Sequence, residues 1–341
     1  MSKAAFLQST NNPFQVLPSP KWDLTSPDEL LIRAHAVAIN PVDKALQYTP
    51  FVPVTYPAVL GQDVAGEVVA LGDNTTSRFK IGDRVIGHCM GIVTNRPQDG
   101  AFQEHVVLQG NLVSKIPDGM RYERAVVIPL GLSTAAAGFY QEGFMGLRLP
   151  GRMGEVGGEV VFIWGGSSSV GCNAIQLAVA AGYEVVTTAS VKNAEYLRGL
   201  GAKKVLDRRS GSVREDILAA LEGKKLAGTL DCIGDEASWG VCLDVAGRHG
   251  DGSKLVVTTL PGFPDPAPEG LTIKHMFATT IKDNEVSKAM YEDFLPKALE
   301  EGTFVPAPEP DVVGKGLESI QGAVDLYREG TPSAKKLVVL I

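Results

Sequence analysis

The sequence predicts an α/β protein with an irregular β domain first and a doubly wound parallel-sheet domain second. Three observations predict it. Residues 1–125 hold short apolar runs cut by glycine turns. From Glu159 onward, strand-like and helix-like runs alternate. Where the pattern changes, the apolar strand Val160–Trp164 runs into Gly165-Gly166-Ser167-Ser168-Ser169-Val170-Gly171, which opens a helix. A chain of 341 residues is long enough for a sizeable core in each of two domains.

In the first domain the expected strands are Leu30–Ile39, Val64–Leu71 and Arg84–His88. Glycines recur at 61, 66, 72, 82, 87 and 100, with turn dipeptides at Gly72-Asp73, Gly82-Asp83 and Asp99-Gly100. A helical stretch is expected over Arg121–Gln141, then a glycine-rich connector over 143–158. In the second domain the expected strands are Val160–Trp164, Glu184–Ala189, Lys204–Asp207, Gly228–Cys232 and Lys254–Leu260. The expected helices are Ser169–Ala181, Asn193–Leu200, Ser212–Leu221 and Ala237–Ala246. A proline-rich loop follows Pro261, two helical stretches flank Pro306–Pro310, and Lys336–Ile341 closes the chain as an apolar strand. The last segment returns to the first domain, so the division is 1–125 with 290–341, and 126–289. The ligand cleft is expected between the two.

The turn at 165–171 points to a dinucleotide. Glycines allow a sharp turn and a close backbone approach to a pyrophosphate, and the free N–H groups at the helix start face the anion. The pattern departs from G-x-G-x-x-G: Gly166 and Gly171 keep loop positions, while Ser167, Ser168 and Ser169 offer hydroxyl donors to phosphate.

Composition sets limits. Apolar content of 44% and charged content of 21% are ordinary for a globular chain. A net charge of −7 argues against a general nucleic-acid binder. No long apolar run suggests a membrane span, and the N-terminal residues lack a secretory pattern. The four cysteines at 89, 172, 232 and 242 form no CxxC pair, which fits reduced thiols and a cytoplasmic location.

Several segments carry a family resemblance: Ala38-Ile-Asn-Pro-Val-Asp43, Pro57-Ala-Val-Leu-Gly-Gln-Asp-Val-Ala-Gly66, Lys80-Ile-Gly-Asp-Arg-Val85, Gly100-Ala-Phe-Gln103, Pro129-Leu-Gly-Leu-Ser-Thr134 and the turn at 165–171. Together they resemble the medium-chain dehydrogenase/reductase superfamily over essentially the whole chain. The match is best to its fungal zinc-free branch, with trans-acting enoyl reductases and, further off, quinone reductases. The resemblance implies a GroES-like β domain plus a Rossmann domain. It also places Asn40, Gln62 and Leu132 where zinc-dependent relatives carry a Cys, a His and a Cys. None of the three is a ligand that zinc prefers, so no metal is expected.

NAD enzymes usually carry an acid at the end of the second strand for the ribose diol. Here that strand ends in Ser190 with Lys192 and Asn193 following, and Arg208 and Arg209 end the third. A hydroxyl and cations suit a 2′-phosphate, so NADPH is expected. Cys232 and Ile233 end the fourth strand and Leu260 the fifth, where ligands of such sheets bind. The resemblance adds Asn40, Pro41 and Phe277 beside the nicotinamide. Without a metal, hydride goes to an electrophile activated by conjugation: an α,β-unsaturated carbonyl, an enoyl thioester or a quinone. The charge developing on the carbonyl oxygen then needs donors. Lys44, Tyr48 and Thr134 are the catalytic candidates, each with a plainer reading as a surface, packing or capping residue. The expected function is an enone or enoyl reductase. A quinone reductase and a catalytically weak accessory protein of a synthase are the alternatives, and a polyketide synthase carrier domain is a partner that the resemblance suggests.

Overall fold

The structure, a computed structural model, describes residues 2–151, 157–330 and 332–341. The chain divides into two compact units, Met1–Leu130 with Met290–Ile341, and Gly131–Ala289. The first crossing thus falls within the helix that follows residue 125.

The first passage through unit one gives β1 (Lys3–Leu7), β2 (Gln15–Pro18), β3 (Glu29–Ala38), α1 (Pro41–Tyr48), β4 (Ala58–Val59), β5 (Asp63–Leu71), β6 (Arg84–His88), α2 (Gly91–Thr94), β7 (His105–Gln109), β8 (Val113–Lys115) and α3 (Tyr122–Ala125). The chain then forms α4 (Pro129–Tyr140), β9 (Glu159–Trp164), α5 (Ser169–Ala180), β10 (Glu184–Ala189), α6 (Ala194–Gly199), β11 (Lys204–Asp207), α7 (Val213–Leu221), β12 (Lys225–Asp231), α8 (Glu236–Arg248), β13 (Leu255–Thr258), β14 (Thr272–His275) and α9 (Glu285–Lys288). It returns to unit one through α10 (Leu295–Glu300), β15 (Glu309–Lys315), α11 (Ile320–Glu329) and β16 (Lys335–Leu340).

Unit one is built on β3. One edge of this ten-residue strand pairs along its length with β5. Its other edge is shared: Glu29–Arg33 pair with β7 and Ala36–Ala38 with β16. The C-terminal strand therefore completes the sheet beside the residues that lead into α1. The side chains of Leu30, Ile32, Val64, Val68, Val85 and Phe102 are buried in this unit's core. Each apolar side chain so buried contributes about 1.5–3 kcal/mol.

Unit two carries a six-stranded sheet in the order β11-β10-β9-β12-β13-β14, parallel throughout. This is the doubly wound order, with the reversal between β9 and β12. Val160, Val161, Phe162 and Ile163 are fully buried, as a continuous apolar run must be when both sheet faces are covered.

Several elements differ from expectation. The stretch Arg121–Gln141 is two helices, α3 and α4, broken before Pro129, because the residue before a proline disfavours helix. Helix α1 was not anticipated. Asn40 is extended at its N-cap and Pro41 sits in its first turn, a local start signal. The loop after Pro261 ends in the extra strand β14, whose Thr272 and Lys274 are exposed. Residues 309–315 form β15, an edge strand in which no residue is fully buried. Part of the connector expected over 143–158 lies outside the described residues.

Candidate functional site

The glycine-rich turn follows β9 in unit two. Gly165 has φ +82°, a left-handed conformation that suits glycine. A Cβ on Gly166 would lie 2.2 Å from Thr187 Oγ1, and one on Gly171 would lie 2.4 Å from the Gly165 carbonyl oxygen. Neither position has room for a side chain, so the start of α5 packs directly on its own loop. Ser168 Oγ accepts from Gly171 N at 3.0 Å and caps α5. Of the three serines expected to face phosphate, Ser168 therefore has this intrahelical duty; Ser167, Ser169 and Val170 are half-exposed on the same turn. Gly165 N donates to Thr188 Oγ1 at 3.2 Å, which ties the loop to β10.

At the end of β10, Ser190 is half-exposed, Lys192 exposed and Asn193 buried. Arg208 and Arg209 are exposed beyond β11, and Arg208 N donates to the Ala189 carbonyl at 3.1 Å, so the two strand ends meet. The register also brings an acid there: Asp207 pairs with Ala189. Its Oδ1 accepts from Arg209 N at 3.0 Å. On the other side of β9, Cys232 is buried, while Ile233, Leu260 and Phe277 are exposed beyond the ends of β12, β13 and β14. Burial pushes the Cys232 thiol well above its ordinary pKa, which makes it a poor nucleophile. Thr134 is half-exposed on α4. Gly131, one turn earlier, packs so closely on α5 that a Cβ would lie 2.7 Å from Asn173 Nδ2.

In unit one, the candidate residues surround the start of α1. Asn40 N donates to Asp43 Oδ2 at 2.8 Å, and Asn40 Nδ2 donates to Asp63 Oδ2 at 2.8 Å. Lys336, fully buried on β16, binds Asp63 Oδ2 at 2.9 Å and donates to Asn40 Oδ1. Asp63 Oδ1 accepts from Leu130 N at 2.6 Å. Asn40, Asp43, Gln62, Asp63, His88 and Lys336 are all buried. Burial first, and the Asp63 carboxylate second among the raising effects, lift the Asp43 carboxyl to about 7. Burial lowers His88 to about 4 and leaves it neutral at pH 7.

The polar side chains at the start of α1 are engaged with one another. Both ends of the Asn40 amide are engaged by Asp63 and Lys336, and an ammonium already neutralises Asp63. Gln62 and Leu132 supply neither thiolate nor imidazole. Among the described residues, no group of three His, Cys, Asp or Glu side chains is placed to hold a metal.

Lys44 is half-exposed and Pro41 exposed on α1. Tyr48, at the end of α1, turns towards α11. Its hydroxyl donates to Asp325 Oδ1 at 3.1 Å, and the Arg328 guanidinium lies 4.8 Å from its ring centroid. The phenolic hydrogen expected to serve as an acid is thus already given to Asp325. The sequence reading missed Lys336 and Asp231, which lie in the last strand and beside the Cys232 turn. Among the described residues, no helix is long and apolar enough to cross a membrane.

Comparison with known proteins identifies the family. Residues 26–118 match the alcohol dehydrogenase GroES-like domain, and residues 169–289 match the zinc-binding dehydrogenase family. The chain is 50% identical over 337 residues, covering 98% of it and 97% of the relative, to the zinc-binding alcohol dehydrogenase domain-containing protein cipB of Emericella nidulans. It is 38% identical to the trans-enoyl reductase himH of Aspergillus japonicus, covering 92% and 90%. Among solved structures, an alcohol dehydrogenase superfamily protein from Novosphingobium aromaticivorans superposes with a TM-score of 0.81 at 25% identity over the whole of both chains.

Proposed function

Because the chain belongs to the medium-chain dehydrogenase/reductase superfamily of oxidoreductases, on its fungal branch, we propose that it reduces the C=C bond of an α,β-unsaturated carbonyl or enoyl thioester, using NADPH and no zinc. The observation that carries the proposal is the buried Lys336 ammonium on Asn40 and Asp63. Asn40, which the resemblance places at a ligand position of zinc-dependent relatives, has both ends of its amide engaged. A metal is one way to polarise an unactivated carbonyl, whereas a conjugated acceptor carries its activation with it. The trans-enoyl reductase relative supports the same substrate class.

When bound, the nicotinamide cofactor supplies hydride. The chain's own residues hold it and stabilise charge. The N–H groups of the turn at Gly166–Gly171 and the start of α5 take the pyrophosphate. Ser190, Lys192, Asn193 and Arg208 take the 2′-phosphate, and Cys232, Ile233, Leu260 and Phe277 line the nicotinamide side. Lys44 and Thr134 are the donors assigned to the carbonyl oxygen as it gains charge. Asn40 acts through backbone shape rather than through its engaged amide, and Pro41 fixes that shape.

Purified protein with NADPH should reduce members of a panel of enones and enoyl thioesters faster than quinones. A chelator should leave turnover unchanged, and NADH should serve poorly. Absence of turnover on every panel member, or its loss with the chelator, would sink the proposal. Preferential turnover of quinones would make the chain a quinone reductase instead.

A further inference from the structure

We infer that Asp231 is a positioning residue for the nicotinamide half of the cofactor. Its buried carboxylate fixes the Cys232-Ile233-Gly234 turn and thereby holds an apolar shelf beside the glycine loop. This rests on the nicotinamide reading above.

Asp231 is the last residue of β12 and is fully buried. One oxygen, Oδ1, accepts from Ile233 N at 2.9 Å and from Gly234 N at 3.1 Å. The other accepts from Ser238 Oγ at 2.7 Å. The first pair holds the chain as it leaves the strand. The second anchors the carboxylate to the first turn of α8. The main chain adds Cys232 N to the Trp164 carbonyl at 3.0 Å and Thr259 N to the Asp231 carbonyl at 3.1 Å. The turn is thus tied to β9 on one side and β13 on the other.

The held turn has neighbours on both sides. A Cβ on Gly165 would lie 2.8 Å from Ile233 Cγ1, so Ile233 rests against the first glycine of the loop. A Cβ on Gly234, whose φ is +77°, would lie 2.6 Å from Leu260 Cβ. Ile233 is 39% exposed and Leu260 52%. Two large apolar side chains thus stand open at the carboxyl ends of neighbouring strands, where ligands of such sheets bind.

The sheet is asymmetric about β9. The ends of β10 and β11 bear Ser190, Lys192 and Arg208. The ends of β12 and β13 bear Ile233 and Leu260. A nicotinamide dinucleotide has a polar, phosphate-bearing adenosine end and a flat ring with apolar faces at the other. The polarity of the strand ends orients it, and Asp231 lies only under the ring-binding side. Removing the carboxylate deprives two turn N–H groups of their acceptor, and such groups are expensive to leave unmet.

The test uses the intact chain, with binding measured at a temperature well below unfolding. Wild type, Asp231→Ala and Asp231→Asn are titrated with NADPH, NADH and the adenosine fragments 2′,5′-ADP and 5′-AMP. Asp231→Ala should weaken binding of the preferred dinucleotide by about tenfold or more, while its fragment stays within about twofold. Asp231→Asn keeps an oxygen for both N–H groups and should stay within about threefold of wild type for the dinucleotide. If Asp231→Ala fails to fold by circular dichroism, Ile233→Ser, which strips the shelf without touching the carboxylate, should show the same split. Equal weakening of fragment and dinucleotide, or an unmoved dinucleotide affinity, overturns the inference. A wild-type chain that binds neither dinucleotide would instead overturn the proposed function from which it starts.

Discussion

Two carboxylates, Asp63 in unit one and Asp231 in unit two, are equally buried, yet they are satisfied in opposite ways. Asp63 faces a cation: Lys336 Nζ lies at 2.9 Å, with the Asn40 amide and Leu130 N as further donors. Asp231 faces neutral donors: Ile233 N, Gly234 N, Ser238 Oγ and, at 3.5 Å, Thr258 Oγ1. Burial lifts the Asp231 carboxyl above the ordinary carboxylate range, while the hydrogen bonds from Ile233, Ser238 and Gly234 oppose that rise. The two sites therefore tolerate different losses. A buried ion pair is costly to break, because the survivor is left charged in a dry place. A carboxylate held by dipoles can lose one donor and keep the rest.

The largest effect follows from the ion pair. Lys336→Met keeps most of the volume and removes the charge. It should lower stability by about 3–5 kcal/mol, read as a fall in the urea midpoint. Adding Asp63→Asn should restore more than half of the loss, since the stranded charge is then gone. A single variant within about 1 kcal/mol of wild type would show that the ammonium reaches water and that the contrast with Asp231 is false.

The next effect sharpens the same contrast through pH. Asp43 adds a second buried carboxyl to the Lys336 cluster, and one ammonium cannot balance two anions. Burial, helped by Asp63 and opposed by Lys336, raises it from 3.8 to about 7. The native state therefore holds this proton more tightly than the unfolded chain does. Asp43's contribution is therefore complete below pH 3.8 and is lost as pH rises through about 7. Asp43→Asn can still accept from Asn40 N and cannot ionise. It should remove a loss on the order of 2–3 kcal/mol between about pH 5 and pH 8, so that the variant outlasts wild type at the higher pH. Parallel stability profiles for the two proteins would show that Asp43 is solvated.

How these clusters arise explains what the sequence could reveal. The glycine loop and the strands Glu184–Ala189 and Lys204–Asp207 were legible because their signals are local: an apolar run, a turn, then a helix start. Asp231 stood one residue from the Cys232-Ile233-Gly234 segment and passed unmarked, because an acid at a strand end reads as a surface residue. In the sequence, Lys336 is merely the first residue of an apolar strand. Nothing near it in sequence announces that β16 will pair with Ala36–Ala38 and carry its ammonium to Asn40, 296 residues away. The surroundings of Tyr48 are hidden in the sequence for a related reason. Its partner Asp325 lies on a helix that only the closed fold brings near α1. That Asn40, Gln62 and Leu132 are neither Cys nor His was visible in the sequence, but the cation beside Asn40 required the long-range pairing.

The smallest effects belong to the neutral donors around Asp231, and their order tests the dipole account. Ser238→Ala removes the 2.7 Å bond to Oδ2 and the acceptor for Asp235 N in the cap of α8. It should lower stability by about 2 kcal/mol, combining a bond to a charged group with a lost cap. Thr258→Val removes a hydroxyl at 3.5 Å, the outer limit for a hydrogen bond, and keeps the side-chain shape. It should shift stability by less than about 0.5 kcal/mol, measured in the same denaturation series. The ranking matters more than either value. If Thr258→Val proved as damaging as Ser238→Ala, no donor would be dispensable. Asp231 would then behave like Asp63, as a charge that depends on every partner it has.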